Sequence, residues 1–127
     1  MAAIKLLLVE DSESSRLIID FLIRLYNMDK YQIVGVDTLK EACNIVVQQS
    51  PKLVLLDLGL KDADIDQTIE KIPEIVKYSP VIVISFYDDI TIQDRCKVAG
   101  ASHFIDKGWL TLEHRDKLHE IIDFYMK

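Results

Sequence analysis

The sequence predicts an α/β fold in which a five-stranded parallel sheet carries helices on both faces. Three observations lead there. Short apolar runs recur five times along the 127 residues. The runs are continuous rather than alternating polar and apolar, as expected of strands covered on both sides. The segments between them space their apolar residues three and four apart, the mark of a single buried helix face.

Strands are expected over residues 4–9, 31–36, 52–57, 80–85 and 101–105. The first helix is expected over 13–27, opened by Ser12 or Glu13, with Leu17, Ile18, Phe21, Leu22 and Leu25 as its buried stripe. Ile19 and Ile23 fall off that stripe, four apart on a shared face. The second helix, 38–49, follows Asp37-Thr38. Glu41 stands three residues after Thr38, a capping-box spacing, and the stripe is Leu39, Ala42, Cys43, Val46 and Val47. The third, 65–77, contains Pro73, which removes a backbone donor and clashes with the preceding turn, so a break or kink is expected past Lys71. The fourth, 88–99, has the stripe Ile92, Cys96 and Ala99, with Gly100 placed to end it. The fifth, 111–126, buries Leu118, Ile121, Ile122 and Tyr125.

Strand–helix alternation over five units gives a doubly wound sandwich, and right-handed crossovers limit its topology. The flavodoxin-like order 2-1-3-4-5 is the common solution. It sets the ends of strands 1 and 3 side by side at the switch point, where ligands bind. The chain fits one domain, residues 1–127.

Composition excludes several function classes. The net charge is −6, and Lys and Arg are scattered singly, which argues against a nucleic-acid surface. No apolar stretch approaches the roughly 20 residues of a membrane span. No signal-peptide pattern opens the chain, so a cytoplasmic setting is the expectation. Cys43 and Cys96 lie on helix stripes and read as reduced core thiols. His103, His114 and His119 have no metal-ligand spacing and read as surface or helix-face residues. Asp62, Asp64, Asp66, Asp88 and Asp89 are expected to form a solvated acidic rim.

The chemistry lies at the strand ends. The first strand ends in Glu10-Asp11, the third in Asp57 and the fourth in Ser85, and Lys107 follows the fifth. In the 2-1-3-4-5 order three carboxylates then converge. Two unit charges about 4 Å apart repel by about 4 kcal/mol at an effective dielectric near 20. Either their pKa values rise or a cation sits among them. A hard divalent ion such as Mg²⁺ suits such a set and leaves coordination positions for a phosphate oxygen. A carboxylate beside a metal, an ammonium and a hydroxyl is a layout for phosphoryl transfer, with the carboxylate as nucleophile.

These residues resemble the bacterial response-regulator receiver domain of two-component signalling, over essentially the whole chain. The matching segments are Leu8-Val9-Glu10-Asp11-Ser12, Leu55-Leu56-Asp57-Leu58, Ile84-Ser85, Gly100-Ala101 and Phe104-Ile105-Asp106-Lys107. The resemblance implies a phosphoprotein of a phosphorelay, with Asp57 as phosphoacceptor. It implies that Glu10, Asp11, Asp57 and the Gly59 backbone carbonyl bind Mg²⁺ or Mn²⁺. It makes Ser85 the switch hydroxyl, Lys107 the phosphate-bonding lysine and Phe104 the aromatic that changes rotamer. A histidine kinase or histidine phosphotransfer protein supplies the phosphoryl group. The face of helix 4, strand 5 and helix 5 then gains or loses a downstream partner, and a homodimer through that face stays open. Such a domain is a switch rather than a turnover enzyme, catalysing only its own aspartyl phosphorylation and dephosphorylation.

Four positions depart from the family pattern. Phe86 replaces the small residue after the switch hydroxyl and is expected to gate access to Asp57. Lys61 and Ile65 stand where a proline and a glycine are frequent, and Gly108 follows the lysine in place of proline. These departures keep an alternative in view, a pseudo-receiver scaffold that binds partners without phosphorylation. Two other chemistries on this fold fit less well. A flavin-phosphate site needs a Ser/Thr/Gly-rich first loop, and a haloacid-dehalogenase-type site needs its Asp pair on the first strand. Ile19 and Ile23 read first as scattered surface or edge-of-core residues, and the sharper reading makes them part of a docking patch for a phosphodonor helix.

Overall fold

The computed structural model describes residues 6–25, 32–87 and 89–126. The strands are β1 (Leu6–Val9), β2 (Ile33–Val36), β3 (Leu53–Asp57), β4 (Val81–Ser85) and β5 (His103–Asp106). The helices are α1 (Glu13–Arg24), α2 (Leu39–Gln49), α3 (Ile65–Ile75), α4 (Ile90–Ala99) and α5 (Arg115–Met126). All strand pairs are parallel, in the order β2-β1-β3-β4-β5. The sequence-based topology is therefore the observed one.

The period of two along each strand builds two cores, one on each face of the sheet. Leu7, Val9, Val54, Leu56, Val81 and Val83 face α2, α3 and α4. Leu6, Leu8, Leu53, Leu55, Ile82 and Ile84 face α1 and α5. The three central strands β1, β3 and β4 are buried at every position, as their continuous apolar runs require. The edge strands are wetter: Gly35 of β2 and His103 of β5 are exposed. β5 starts two residues later than its sequence suggests. Gly100, at φ 117, and Ala101 close α4 by donating to carbonyls of Cys96 and Lys97. That left-handed cap favours glycine, and a Cβ at Gly100 would stand 3.1 Å from Val76.

Helix 1 is rolled relative to the sequence-based stripe. Ile19, Leu22 and Ile23 are buried, whereas Leu17, Ile18, Phe21 and Leu25 are exposed. Seven apolar residues leave two overlapping stripes on one helix, and counting favours the wider one. The fold takes the narrower stripe, which packs onto Leu6, Leu8 and the α5 residues. Ile19 and Ile23 are therefore core residues and not a docking patch.

Pro73 does not break α3, which runs continuously to Ile75. Its solvent-facing position and the burial of Ile69, Ile72 and Ile75 hold the helix against a cost of about 3 kcal/mol. The fifth helix is not continuous from residue 111. A 3-10 turn, Leu112–His114, precedes α5. There His114 stacks on Trp109 at 4.5 Å and its Nδ1 lies 2.7 Å from the Trp109 carbonyl. Cys96 is buried and Cys43 half-buried, both as free thiols.

The acidic rim is largely a set of caps rather than free charge. Asp64 closes a full capping box with Gln67 on α3, and Asp89 accepts from Thr91 N–H at 2.7 Å on α4. Asp62 reaches across to α2, accepting from Leu39 and Lys40 N–H at 2.8 and 3.1 Å. Asp66 pairs with Arg95 of α4 at 2.8 Å, and Asp88 lies outside the described residues. At α2, Thr38 accepts from Glu41 N–H as expected, but the Glu41 carboxylate meets the Thr38 hydroxyl.

Candidate functional site

Parallel register brings the acids together. Val9 of β1 pairs with Leu56 of β3, so Glu10 and Asp57 leave their strands side by side. One carboxylate oxygen from each of Glu10, Asp11 and Asp57 lies within 4.8 Å of the others. Lys107 enters from the 3-10 turn Lys107–Trp109 that follows β5. Its Nζ sits 2.6 Å from Glu10 Oε2 and 3.2 Å from Asp57 Oδ2. Glu10 is fully buried and Asp57 is 5% exposed.

Three carboxylates and one ammonium leave the knot two charges negative. Burial, and then the neighbouring Glu10 charge, push the Asp57 carboxyl up to about 7, and the Lys107 ammonium only partly opposes them. Glu10 Oε1 accepts from the Ser12 N–H at 3.1 Å, while the buried Oε2 has no hydrogen-bond donor beyond the Lys107 ion pair. An all-oxygen set with surplus negative charge fits a hard divalent cation.

The remaining sequence-derived residues are distributed around this knot. Ser85 is buried at the end of β4, where its Oγ accepts from the Tyr87 N–H at 3.0 Å. Phe86 is 66% exposed, with Lys107 Nζ 5.3 Å from its ring centroid, a cation–π distance. A recess of 90 Å³ lined by Ser15, Ile18, Phe86, Lys107 and Leu110 opens beside it. Gly59 lies in the loop after β3 with the Tyr87 ring against it; a Cβ there would be 3.9 Å from Tyr87. Phe104 is half-buried against the α2–α4 core, beside Val83 in register, and is not part of the acidic knot.

Two contacts escape sequence reading. Arg16 Nη1 donates to the Glu10 carbonyl at 2.9 Å, and Asp62 ties the loop after Asp57 to α2. Both depend on how helices sit on the sheet, which no local motif encodes. Two larger clefts lie elsewhere, one of 500 Å³ between α3 and α4 and one of 470 Å³ between α1 and β2. Neither gathers the converging acids that the sheet edge does. Among the described residues no helix is long and apolar enough to cross a membrane.

Comparisons with known proteins agree with the fold. A candidate transcriptional regulator of Pseudomonas aeruginosa is 29% identical over 119 residues, covering 93% of this chain and 53% of that protein. The chain thus spans about half the length of that relative. Sporulation initiation phosphotransferase F of Bacillus subtilis is 27% identical over 101 residues, covering 79% of each. A CheY-like response regulator receiver domain from Methanospirillum hungatei superposes with a TM-score of 0.78 at 18% identity, covering 98% of this chain and 97% of that one. The family profile described as the response regulator receiver domain matches residues 6–123. This chain belongs to the response regulator receiver domain family.

Proposed function

We propose that this receiver domain accepts a phosphoryl group on Asp57 from a phosphohistidine partner and uses the modification to switch partner binding. The observation that carries the reading is the largely buried knot of Glu10, Asp11, Asp57 and Lys107, whose net negative charge is costly unless a cation offsets it.

Glu10, Asp11, Asp57 and the Gly59 carbonyl would hold Mg²⁺ or Mn²⁺, which when bound supplies positive charge against the phosphoryl oxygens. An Asp57 carboxylate oxygen attacks phosphorus, the P–N bond to the donor imidazole breaks, and the imidazole leaves with a proton from solvent. Asp57 then carries an acyl phosphate. Lys107 exchanges its Glu10 and Asp57 contacts for a phosphoryl oxygen. The Ser85 hydroxyl donates to another phosphoryl oxygen, which disturbs the turn it now holds through Tyr87 N–H. Phe104 adjusts its packing with that movement. Phe86 stands over Lys107 and gates the approach. The chain turns over nothing but its own phosphate, and the proposal sets the reaction in the cytoplasm.

The donor docks on the outer face of α1. Its apolar residues there are Leu17, Ile18 and Phe21, replacing the buried Ile19 and Ile23 of the sequence reading. Incubation with phosphoramidate and Mg²⁺, read by intact mass, tests the reaction. A mass gain of one phosphoryl group, lost in Asp57→Asn and in chelator, supports it. An unchanged mass supports a pseudo-receiver scaffold, which the Phe86 ring over Lys107 favours as the second reading.

A further inference from the structure

Arg16 holds the backbone of the acidic knot from outside. Its Nη1 donates to the carbonyl of Glu10, the peptide that joins Glu10 to Asp11. That carbonyl lies just past Val9, the last β1 residue in the sheet register. On the other side, the Glu10 N–H donates to the Val36 carbonyl of β2 at 3.0 Å. The Glu10 backbone is therefore gripped by β2 at one end and by Arg16 at the other.

The path of Arg16 depends on Gly35. A Cβ built on Gly35 would stand 3.1 Å from Arg16 Cδ, so the arginine would have to shift by a few tenths of an ångström, and the longer branches of a valine would ask for more. Gly35 does not use a left-handed conformation, since among the described glycines only Gly100 has positive φ. It sits in β2, an edge strand in which a β-branched residue is otherwise favoured. The missing side chain at position 35 is what leaves Arg16 its present path. Arg16 also shares the buried face of α1, lying three residues before Ile19 and seven before Ile23. The roll that buries those isoleucines is the roll that carries the guanidinium to Glu10.

We propose that Arg16, passing across Gly35, is a positioning residue for the cation site: it fixes the Glu10 carbonyl and so the placement of the Glu10 and Asp11 carboxylates against Asp57. The inference rests on the reading of that knot as a cation site. Residues that orient metal ligands from behind typically change metal affinity 10- to 100-fold when removed.

The test is Mn²⁺ binding alone, measured by electron paramagnetic resonance on the full chain, with melting temperature recorded in parallel. Arg16→Ala is expected to weaken Mn²⁺ binding about tenfold, and Arg16→Lys, which keeps a donor and a charge, to recover part of it. Gly35→Val is expected to weaken binding similarly while leaving the melting temperature unchanged or raised, because valine suits a strand. It also carries the test should Arg16→Ala fold poorly. In the double variant Gly35→Val adds nothing to Arg16→Ala, because both act through one contact. Wild-type affinity in Arg16→Ala and Gly35→Val, or losses that simply add, overturns the positioning role alone. A wild-type chain that binds no Mn²⁺ overturns the reading of the knot and this inference with it.

Discussion

The C-terminal edge of the sheet and the outer face of α1 each leave groups in an unfavourable medium, but in opposite ways. At the edge, Glu10, Asp57 and Lys107 are charges withdrawn from water. On α1, Leu17, Ile18 and Phe21 are hydrocarbon left in water. The first arrangement is held by ion pairing and backbone donors, and removing one partner leaves a buried charge uncompensated, at about 3–5 kcal/mol. The second forgoes roughly 1.5–3 kcal/mol for each side chain that could have been buried. Buried charge is a place for bond chemistry. Exposed hydrocarbon is a place for another macromolecule.

The sharpest way to break this contrast is Asp57→Asn. Phosphoryl uptake from any donor should vanish. Stability should move the other way, with a sign that depends on pH. The Asp57 carboxyl rises from 3.8 to about 7 in the folded chain, so the fold binds its proton more tightly than the unfolded chain does. The stability this contributes is present below pH 3.8 and is lost as pH rises through about 7. Asparagine carries no such pH dependence. Its melting temperature relative to wild type should therefore climb between about pH 4 and pH 7 and level off above. A gap between variant and wild type no wider at pH 8 than at pH 4 would show that the knot is not strained.

The two faces of α1 should part next. Ile23→Asp puts a charge in the core and should unfold the chain or cost several kcal/mol. Phe21→Asp, on the exposed face, should stay within about 0.5 kcal/mol of wild type yet slow transfer from a phosphohistidine protein about tenfold or more. Uptake from phosphoramidate should be unchanged. Equal losses with both donors would remove α1 as the docking face.

Cation binding comes third. Mg²⁺ at 100 times its dissociation constant should stabilise the chain by about 2.7 kcal/mol. The gain should be larger at pH 8 than at pH 5, because proton and cation compete for Asp57. The smallest effects belong to the periphery. Asp62→Ala should cost about 1 kcal/mol, since Thr38 still caps α2. Phe86→Ala should leave stability nearly unchanged, the ring being exposed, while changing the rate of phosphoramidate uptake several-fold. An unchanged rate would end the gating role.

The contrast also explains what the sequence made legible. Strand ends announce themselves, because an apolar run that stops at a carboxylate fixes both the register and the polar edge. Asp57, Glu10, Asp11 and Lys107 were therefore readable as one cluster, and so was the strand order that joins them. The roll of α1 was not. Leu22 belongs to both of its apolar stripes, and the choice between them comes from packing on Leu6, Leu8 and α5 together with the reach of Arg16 to Glu10. The caps by Asp62, Asp64 and Asp89 were hidden for a similar reason. An aspartate beside a helix start looks the same whether it faces solvent or a neighbouring backbone. Pro73 misled because local cost is visible in sequence, whereas the burial of Ile69, Ile72 and Ile75 that outweighs it is not.

A crystal structure grown with Mg²⁺ and beryllofluoride, a phosphoryl mimic, tests the central claim most directly. The expected result is beryllium bound to an Asp57 carboxylate oxygen, a cation held by Glu10, Asp11 and Asp57, and Lys107 Nζ moved from Glu10 onto a fluoride. Lys107 still paired with Glu10, with neither group at Asp57, would contradict it.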